Sequence, residues 1–228
     1  MLVKNWMTAK VVTGEPSTSM QDAIRLMRDN DIRILPVMKG GKIVGIVTDR
    51  DIKRASASDA TTLEIHELLY LVSKIKLKEI MNKKPITIPS NYTIEEAAEI
   101  LIRNKISGLP VVDLKNQLIG VITQTDIFKA LISLTGSDRK GIQFAFMIED
   151  QPGSIKVLTD IIRGFDGRLR SILTSYDRVP LGYRTLYVRA FGLDRKRLPE
   201  LKGKLTEKAK LLYMIDHREN KREIYSEQ

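Results

Sequence analysis

Cysteine is absent from the 228 residues, and histidine occurs only at His66 and His217. The first absence excludes disulfides and thiolate chemistry and points to a cytoplasmic setting. Two histidines are too few for a conventional zinc site. No run approaches the roughly 20 apolar residues of a membrane helix. The start, Met1 to Trp6, lacks the apolar stretch of a signal peptide. A soluble intracellular protein with no membrane partner is expected. Catalytic signatures are missing too: there is no Gly-x-x-x-x-Gly-Lys-Ser/Thr phosphate loop and no Gly-x-Gly-x-x-Gly fingerprint. His66-Glu67-Leu68-Leu69-Tyr70 opens like a zinc-protease helix but has tyrosine where the second histidine belongs. No serine has a histidine base assigned by motif. The expectation is a protein without enzyme activity, metal or catalytic cofactor.

What is present is basic: 38 Lys and Arg against 28 Asp and Glu, a formal charge of +10. The densest clusters are Arg195-Lys196-Arg197 and the run from Lys202 to Lys210. Neither comes with a helix-turn-helix, a zinc finger or an aromatic-studded basic strand, which argues against nucleic acid as the partner. An ordinary solvated surface accounts for such a charge, and attraction of phosphate-bearing small molecules is the favoured use beside it.

The chain also writes one stretch twice. Met7-Thr8, Thr13, Ala23, Asn30, Ile32 and Leu35-Pro36-Val37 recur 74 residues later as Met81-Asn82, Thr87, Ala97, Asn104, Ile106 and Leu109-Pro110-Val111. After one inserted residue the match resumes at 75, with Gly45 to Asp51 answered by Gly120 to Asp126. A unit of this kind cannot bury its apolar face alone, so two copies imply packing about a pseudo-twofold axis with paired clefts.

Each copy reads β-α-β-β-α. Val11-Val12-Thr13 is a short strand. Met20, Ala23, Ile24 and Met27 form one helical stripe, as do Ile94, Ala97, Ala98 and Leu101 behind a Thr93/Glu96 capping box. Ile34 to Met38 and Lys42 to Val47 form a hairpin about Gly40-Gly41, answered by Leu109 to Val112 and Gln117 to Ile122. Second helices open near Thr48 and Thr123. Leu63, Glu67, Leu68, Leu71, Val72 and Ile75 suggest a connecting amphipathic helix.

After Gly136-Ser137-Asp138 the pattern changes to β-α-β-β-α-β: Gly141 to Ile148, Ser154 to Phe165, Leu169 to Tyr176, Tyr183 to Phe191, Arg195 to Lys208, and Leu211 to Asp216 as a last short strand. This is the ferredoxin-like order, with one sheet face left in need of a partner.

Thr48 with Asp51, and Thr123 with Asp126, stand where a strand hands over to a helix. There the free N–H groups and the positive end of the dipole attract anions. The hydroxyl suits a phosphate, and the carboxylate suits the hydroxyls of a ribose. Gly45 and Gly120 read as leaving the groove clear. The same Thr-x-x-Asp spacing is close to a helix-capping box, so capping stands beside binding as an explanation.

The Met-Thr or Met-Asn start, the Leu-Pro-Val strand and the duplicated Gly-x-x-Thr-x-x-Asp resemble a tandem pair of CBS domains over Val3 to about Thr135. The resemblance implies an α+β fold with CBS repeats at 3–58 and 79–135 joined by a connecting helix at 59–78. It implies adenine nucleotides or S-adenosylmethionine as regulatory ligands. Thr48 and Thr123 would contact phosphate or ribose, and Asp51 and Asp126 the ribose hydroxyls. The adenine would lie against Ile34-Leu35-Pro36, Gly108-Leu109-Pro110, Thr13 and Thr87. Some nucleotide-sensing members carry an arginine where this chain has Ile34 and Gly108; Arg33, Arg50 and Lys129 are the substitutes at hand.

Residues 140–218 resemble an ACT domain, with Asp150, Gln151, Pro152 and Gly153 matching its first ligand loop, although Arg168 and Arg170 stand after the Gly167 turn. That resemblance implies pairing of two copies, hence a homodimer. A CBS pair followed by an ACT domain is similar to AcuB-type acetoin utilisation proteins, which implies an unidentified regulated protein as the further partner.

Overall fold

The computed structural model describes residues 1–58 and 74–225. The expected connecting helix therefore lies largely outside the described residues. The chain forms two compact units, Met1–Phe128 and Lys129–Gln228.

In the first unit, α1 (Met20–Asp29) starts at Ser19, whose hydroxyl accepts from the Asp22 N–H at 3.1 Å. Met20, Ala23 and Met27 are buried, while Ile24, expected in the same stripe, stands at its exposed edge. β1 (Ile34–Lys39) and β2 (Lys42–Thr48) form the expected antiparallel hairpin. Gly40 and Gly41 both have positive φ, 57° and 76°, as its two-residue turn requires. α2 (Asp49–Ser58) follows directly.

The second copy runs through α3 (Leu77–Ile80), β3 (Ile88–Pro89), α4 (Ile94–Asn104), β4 (Gly108–Val112), β5 (Leu118–Thr123) and α5 (Gln124–Thr135). The Thr93/Glu96 box forms as read from the sequence, with bonds of 3.2 and 2.7 Å. β3 pairs parallel with β4. In the first copy the corresponding strand, expected at Val11–Thr13, is reduced to one parallel bridge between Gly14 and Val37. Pro16, two residues on, has no N–H with which to extend that ladder.

What joins the copies is a reciprocal exchange of their opening segments. Residues 1–8 pair with the second copy: Val3 N–H donates to the Tyr92 carbonyl (2.8 Å), Lys4 to Ser90 (3.0 Å) and Thr8 to Val121 (2.9 Å). Their counterparts return the bonds at Leu77 to Thr18 (3.0 Å), Lys78 to Pro16 (3.1 Å) and Asn82 to Ile46 (2.9 Å). Val3 and Leu77 are both fully buried, and Leu77 packs in the first copy's core with Met20, Leu35 and Val47. Met7 and Met81 complete the exchange by lying on Gly120 and Gly45. A Cβ on Gly120 would come within 2.4 Å of the Met7 sulfur, and one on Gly45 within 2.5 Å of the Met81 sulfur.

The second unit contains β6 (Ile142–Glu149), α6 (Ser154–Gly164), β7 (Arg168–Ser175), β8 (Tyr183–Phe191), α7 (Leu198–Thr206), β9 (Lys210–Asp216) and β10 (Lys221–Ile224). All strands are antiparallel, in the order β10-β9-β6-β8-β7. Phe144, Phe146, Leu186 and Val188 of the sheet pack against Leu158 and Ile162 of α6 and against Leu201 and Leu205 of α7. Two expectations need correction. The helix expected from Arg195 begins as a single 3-10 turn (Arg195–Arg197) and becomes α-helical only at Leu198, with Pro199 in its first turn, where a missing N–H costs nothing. The strand that ends at Asp216 is not the last, because β10 follows on the outer edge of β9.

Glu223 of β10 accepts from Lys221 (2.8 Å), from Lys202 of α7 (3.1 Å) and from the Tyr225 hydroxyl. The Lys221 ammonium, then the Tyr225 and Lys202 donors, hold its carboxyl down to about 2 from an ordinary 4.5. A depressed carboxylate adds stability that is fully present above its unfolded value and lost as pH falls through the folded one. Glu223→Gln should therefore lower the urea midpoint of the second unit at pH 7, and its deficit against wild type should shrink between about pH 4.5 and 2. A deficit independent of pH would show that charge is not what holds β10. For the first unit, Gly120→Val should destabilise by about 1–3 kcal/mol through overpacking. Adding Met7→Ala should return much of that loss, giving a coupling of about 0.5–3 kcal/mol in a urea double-mutant cycle. Strict additivity would mean that the two sites do not meet.

Candidate functional site

The two strand-to-helix junctions have the same local geometry. At the end of β2 the Asp51 carboxylate accepts from the Thr48 backbone N–H (3.0 Å) and from its hydroxyl (2.7 Å). The Asp51 N–H returns a bond to the Thr48 hydroxyl at 3.3 Å. At the end of β5 the Asp126 carboxylate accepts from the Thr123 N–H (2.9 Å) and hydroxyl (2.7 Å). Of the two explanations for Thr-x-x-Asp, capping is thus realised in both copies, and each pair arrives already ordered at a helix N-terminus.

The junctions differ in exposure. The Asp51 side chain keeps 17% of its surface, and its second oxygen is bonded to Arg54 at 2.6 Å, whose own side chain is 75% exposed. Asp126 is 6% exposed. An ion pair with so exposed an arginine contributes little and is easily exchanged for another donor. Arg50 and Arg33, named as cationic substitutes, are both on the surface.

Ile34 lies directly across the hairpin from Thr48, and Gly108 across from Thr123. These two repeat-related positions also meet: a Cβ on Gly108 would fall 2.3 Å from the Ile34 Cδ1 and 3.2 Å from the Thr123 Cγ2. Thr48, Ile34, Gly108 and Thr123 therefore form one continuous row linking the junctions. The missing arginine is explained here, since the Ile34 side chain fills space that glycine at 108 leaves open. Ile34, Leu35, Pro36, Gly108, Leu109 and Pro110 are all buried. The Pro36 carbonyl is already used by the Gly14 N–H at 2.9 Å.

Thr87 is half-buried just before β3. Thr13 is exposed and lines a separate cleft of about 680 Å³ with the Gly40-Gly41 turn, Lys39, Lys76 and Lys78; neither Thr48 nor Asp51 is among its walls. Sequence reasoning missed those three lysines, since only the fold brings residues 39 and 76–78 together. It also misread Gly45 and Gly120. They do not keep a groove clear but make room for Met81 and Met7, a role that the repeated Met-Thr and Met-Asn starts could have signalled.

In the second unit, Asp150, Pro152 and Gly153 line a cleft of about 590 Å³ together with Lys156 and Arg184. Arg184 pairs with Asp150 at 3.3 Å and donates to the Ser154 hydroxyl at 3.2 Å, while its buried Nε has no partner. Among the described residues no cluster of three or more His, Asp or Glu side chains has the form of a metal site. No described helix is long and apolar enough to cross a membrane.

Known proteins share the first unit. The CBS domain profile matches residues 3–58 and 77–133. A CBS domain-containing protein of Dictyostelium discoideum is 33% identical over 59% of this chain and 93% of its own length. The inosine-5'-monophosphate dehydrogenase of Korarchaeum cryptofilum is 40% identical over 52% of this chain, which spans only 22% of that enzyme. Among solved structures, the CBS domain pair of protein MJ0100, in complex with 5'-methylthioadenosine and S-adenosyl-L-methionine, is 28% identical with a TM-score of 0.50, covering 57% of this chain and 99% of that one. The duplicated junctions, the crossed opening segments and these matches have one meaning: the chain belongs to the CBS-domain family.

Proposed function

We propose that the chain is a non-catalytic regulator whose CBS pair takes an adenosyl ligand, AMP, ADP, ATP or S-adenosylmethionine, at the Thr48/Asp51 and Thr123/Asp126 junctions. The observation that carries this reading is the likeness to the MJ0100 pair, which holds two adenosyl compounds. The local chemistry agrees with it. Each junction offers a hydroxyl and a carboxylate at a helix N-terminus, and the Asp51–Arg54 pair is exposed enough for a ribose hydroxyl to replace the arginine. With Asp126 nearly buried, the first junction is the more accessible of the two.

For the second unit we infer an ACT-like, ferredoxin-like domain over about 140–218. It would pair two copies of the chain and carry ligand binding to an unidentified regulated protein, in a setting such as acetoin utilisation. Its strand order with helices on one face supports this, as does the cleft at Asp150, Pro152 and Gly153. Nucleic acid is the weaker alternative. Arg195, Arg197, Lys202 and Lys204, the heart of the basic clusters, are ion-paired with Asp216, Glu200 and Glu223, which offsets much of their positive charge. A structural adaptor that uses no nucleotide is the better second reading, because both Thr-Asp pairs are satisfied by their own helices.

Thermal melts with a panel of AMP, ADP, ATP and S-adenosylmethionine separate the two. A ligand at 100 times its dissociation constant stabilises the bound state by about 2.7 kcal/mol, a readily measured shift. Asp51→Ala with Asp126→Ala should lower the basal melting temperature, by about 1 kcal/mol per lost cap, and should also abolish the ligand-dependent shift. A shift that survives in the double variant removes the aspartates from the site. If no adenosyl compound shifts the wild type, the adaptor reading stands.

A further inference from the structure

We propose that the second unit holds a small-carboxylate site on the sheet face opposite its two helices, built around Arg189 of β8. Leu186, Val188 and Ala190 belong to the core beneath the helices, so strand alternation turns Arg189 to the other face. There it is only 6% exposed. Its Nε donates to the Thr135 carbonyl at the end of α5 (2.9 Å), and its Nη2 to the Gln143 side-chain oxygen (2.8 Å). The third nitrogen, Nη1, is buried with no partner. Closing off α5 accounts for Nε, a duty shared by the Ser171 hydroxyl on the same carbonyl at 2.9 Å, but it leaves Nη1 unexplained.

A buried guanidinium normally faces a carboxylate, because an unpaired charge away from water is costly. Among the described residues none lies within ion-pair distance of Arg189, and burial lowers its pKa accordingly. Asp138, the carboxylate that acts on it from a distance, is paired with Arg170 at 3.3 Å.

Arg189 lines a cavity of about 170 Å³ with Gln143, Tyr213, Leu173 and Tyr187 among its other walls. At roughly 30 Å³ per water-sized group this holds about five or six such groups. The Tyr213 hydroxyl accepts from Gln143 Nε2 at 3.1 Å, which leaves its own hydrogen to donate. The lining thus combines the Arg189 guanidinium and the Tyr213 hydroxyl with the apolar Leu173 side chain and the Tyr187 ring. That combination fits a carboxylate carrying a short alkyl tail better than a fully polar anion such as phosphate or sulfate.

The test is calorimetric titration of the full chain with sodium acetate, propionate and butyrate, with chloride, phosphate and sulfate as comparison anions at equal ionic strength. Saturable binding of one carboxylate per chain is expected. Losing a charge-assisted hydrogen bond in Arg189→Gln should weaken it on the order of ten- to a hundredfold. Because that variant also loosens the end of α5, Leu173→Trp serves as an independent block: it fills the cavity while leaving Arg189 and its bonds to Thr135 and Gln143 in place, and should abolish binding in a folded protein. Absence of carboxylate binding to the wild type, undiminished binding in Leu173→Trp, or equal binding of phosphate and sulfate would each overturn the proposal.

Discussion

The first unit depends on a crossing. Each copy's opening segment is bonded not to its own strands but to those of the other copy, so neither copy finishes its core alone. Leu77 belongs by sequence to the second repeat and by packing to the first. Met7 and Met81 lie where any residue larger than glycine at 120 or 45 would stand. A repeat with an apolar face must be covered by something. Here the cover is a strap from its partner, which secures the pairing through backbone hydrogen bonds as well as through burial.

The strap has a consequence for the junctions. Once the copies are locked in register, the residues opposite Thr48 and Thr123 are brought against each other, and two large side chains cannot share that place. Ile34 on one side and Gly108 on the other solve the steric problem and break the symmetry that the repeat would otherwise impose. Ile34 and Thr123 thus both border the space that a side chain at 108 would take. The junctions are related by duplication but inequivalent in exposure, and they share a wall.

Much of this was legible in the sequence, for reasons that separate local from distant information. The hairpin glycines, the Thr93 box and the helical stripes are set by residues within one turn or one strand pair of each other, and they stand where the pattern put them. The strand at Val11–Thr13 shrank to a bridge because Pro16 limits the ladder, and β10 went unread because a four-residue edge strand has no period of its own. The purpose of Gly45 and Gly120 was misread because it depends on methionines from the other repeat, dozens of residues away. The Thr-x-x-Asp motif was read with both its meanings open, and rightly so. A capping box and a ribose-binding pair use the same atoms, and capping is also what would hold those atoms ready.

Arginine in the second unit shows the same division between what a pattern reveals and what a fold decides. Arg195 and Arg189 are six residues apart and indistinguishable by type. Arg195 meets Asp216 through two bonds of 2.7 and 3.1 Å. Although burial opposes the charge on Asp216, that guanidinium and the N–H groups of Arg218 and Glu219 hold its carboxyl below the usual range. The pair is satisfied within the chain and calls for nothing more. Arg189 is buried more deeply, against carbonyl and amide oxygens that satisfy its donors in part, with no carboxylate within ion-pair distance among the described residues. Such a group is stable only if the surrounding fold is strong enough to hold it or if an anion completes it. In this unit the strength comes from the Phe144, Phe146 and Leu186 core on the far side of the same strands. A sheet with an apolar face under its helices can therefore carry a charged, partly unsatisfied group on its other face.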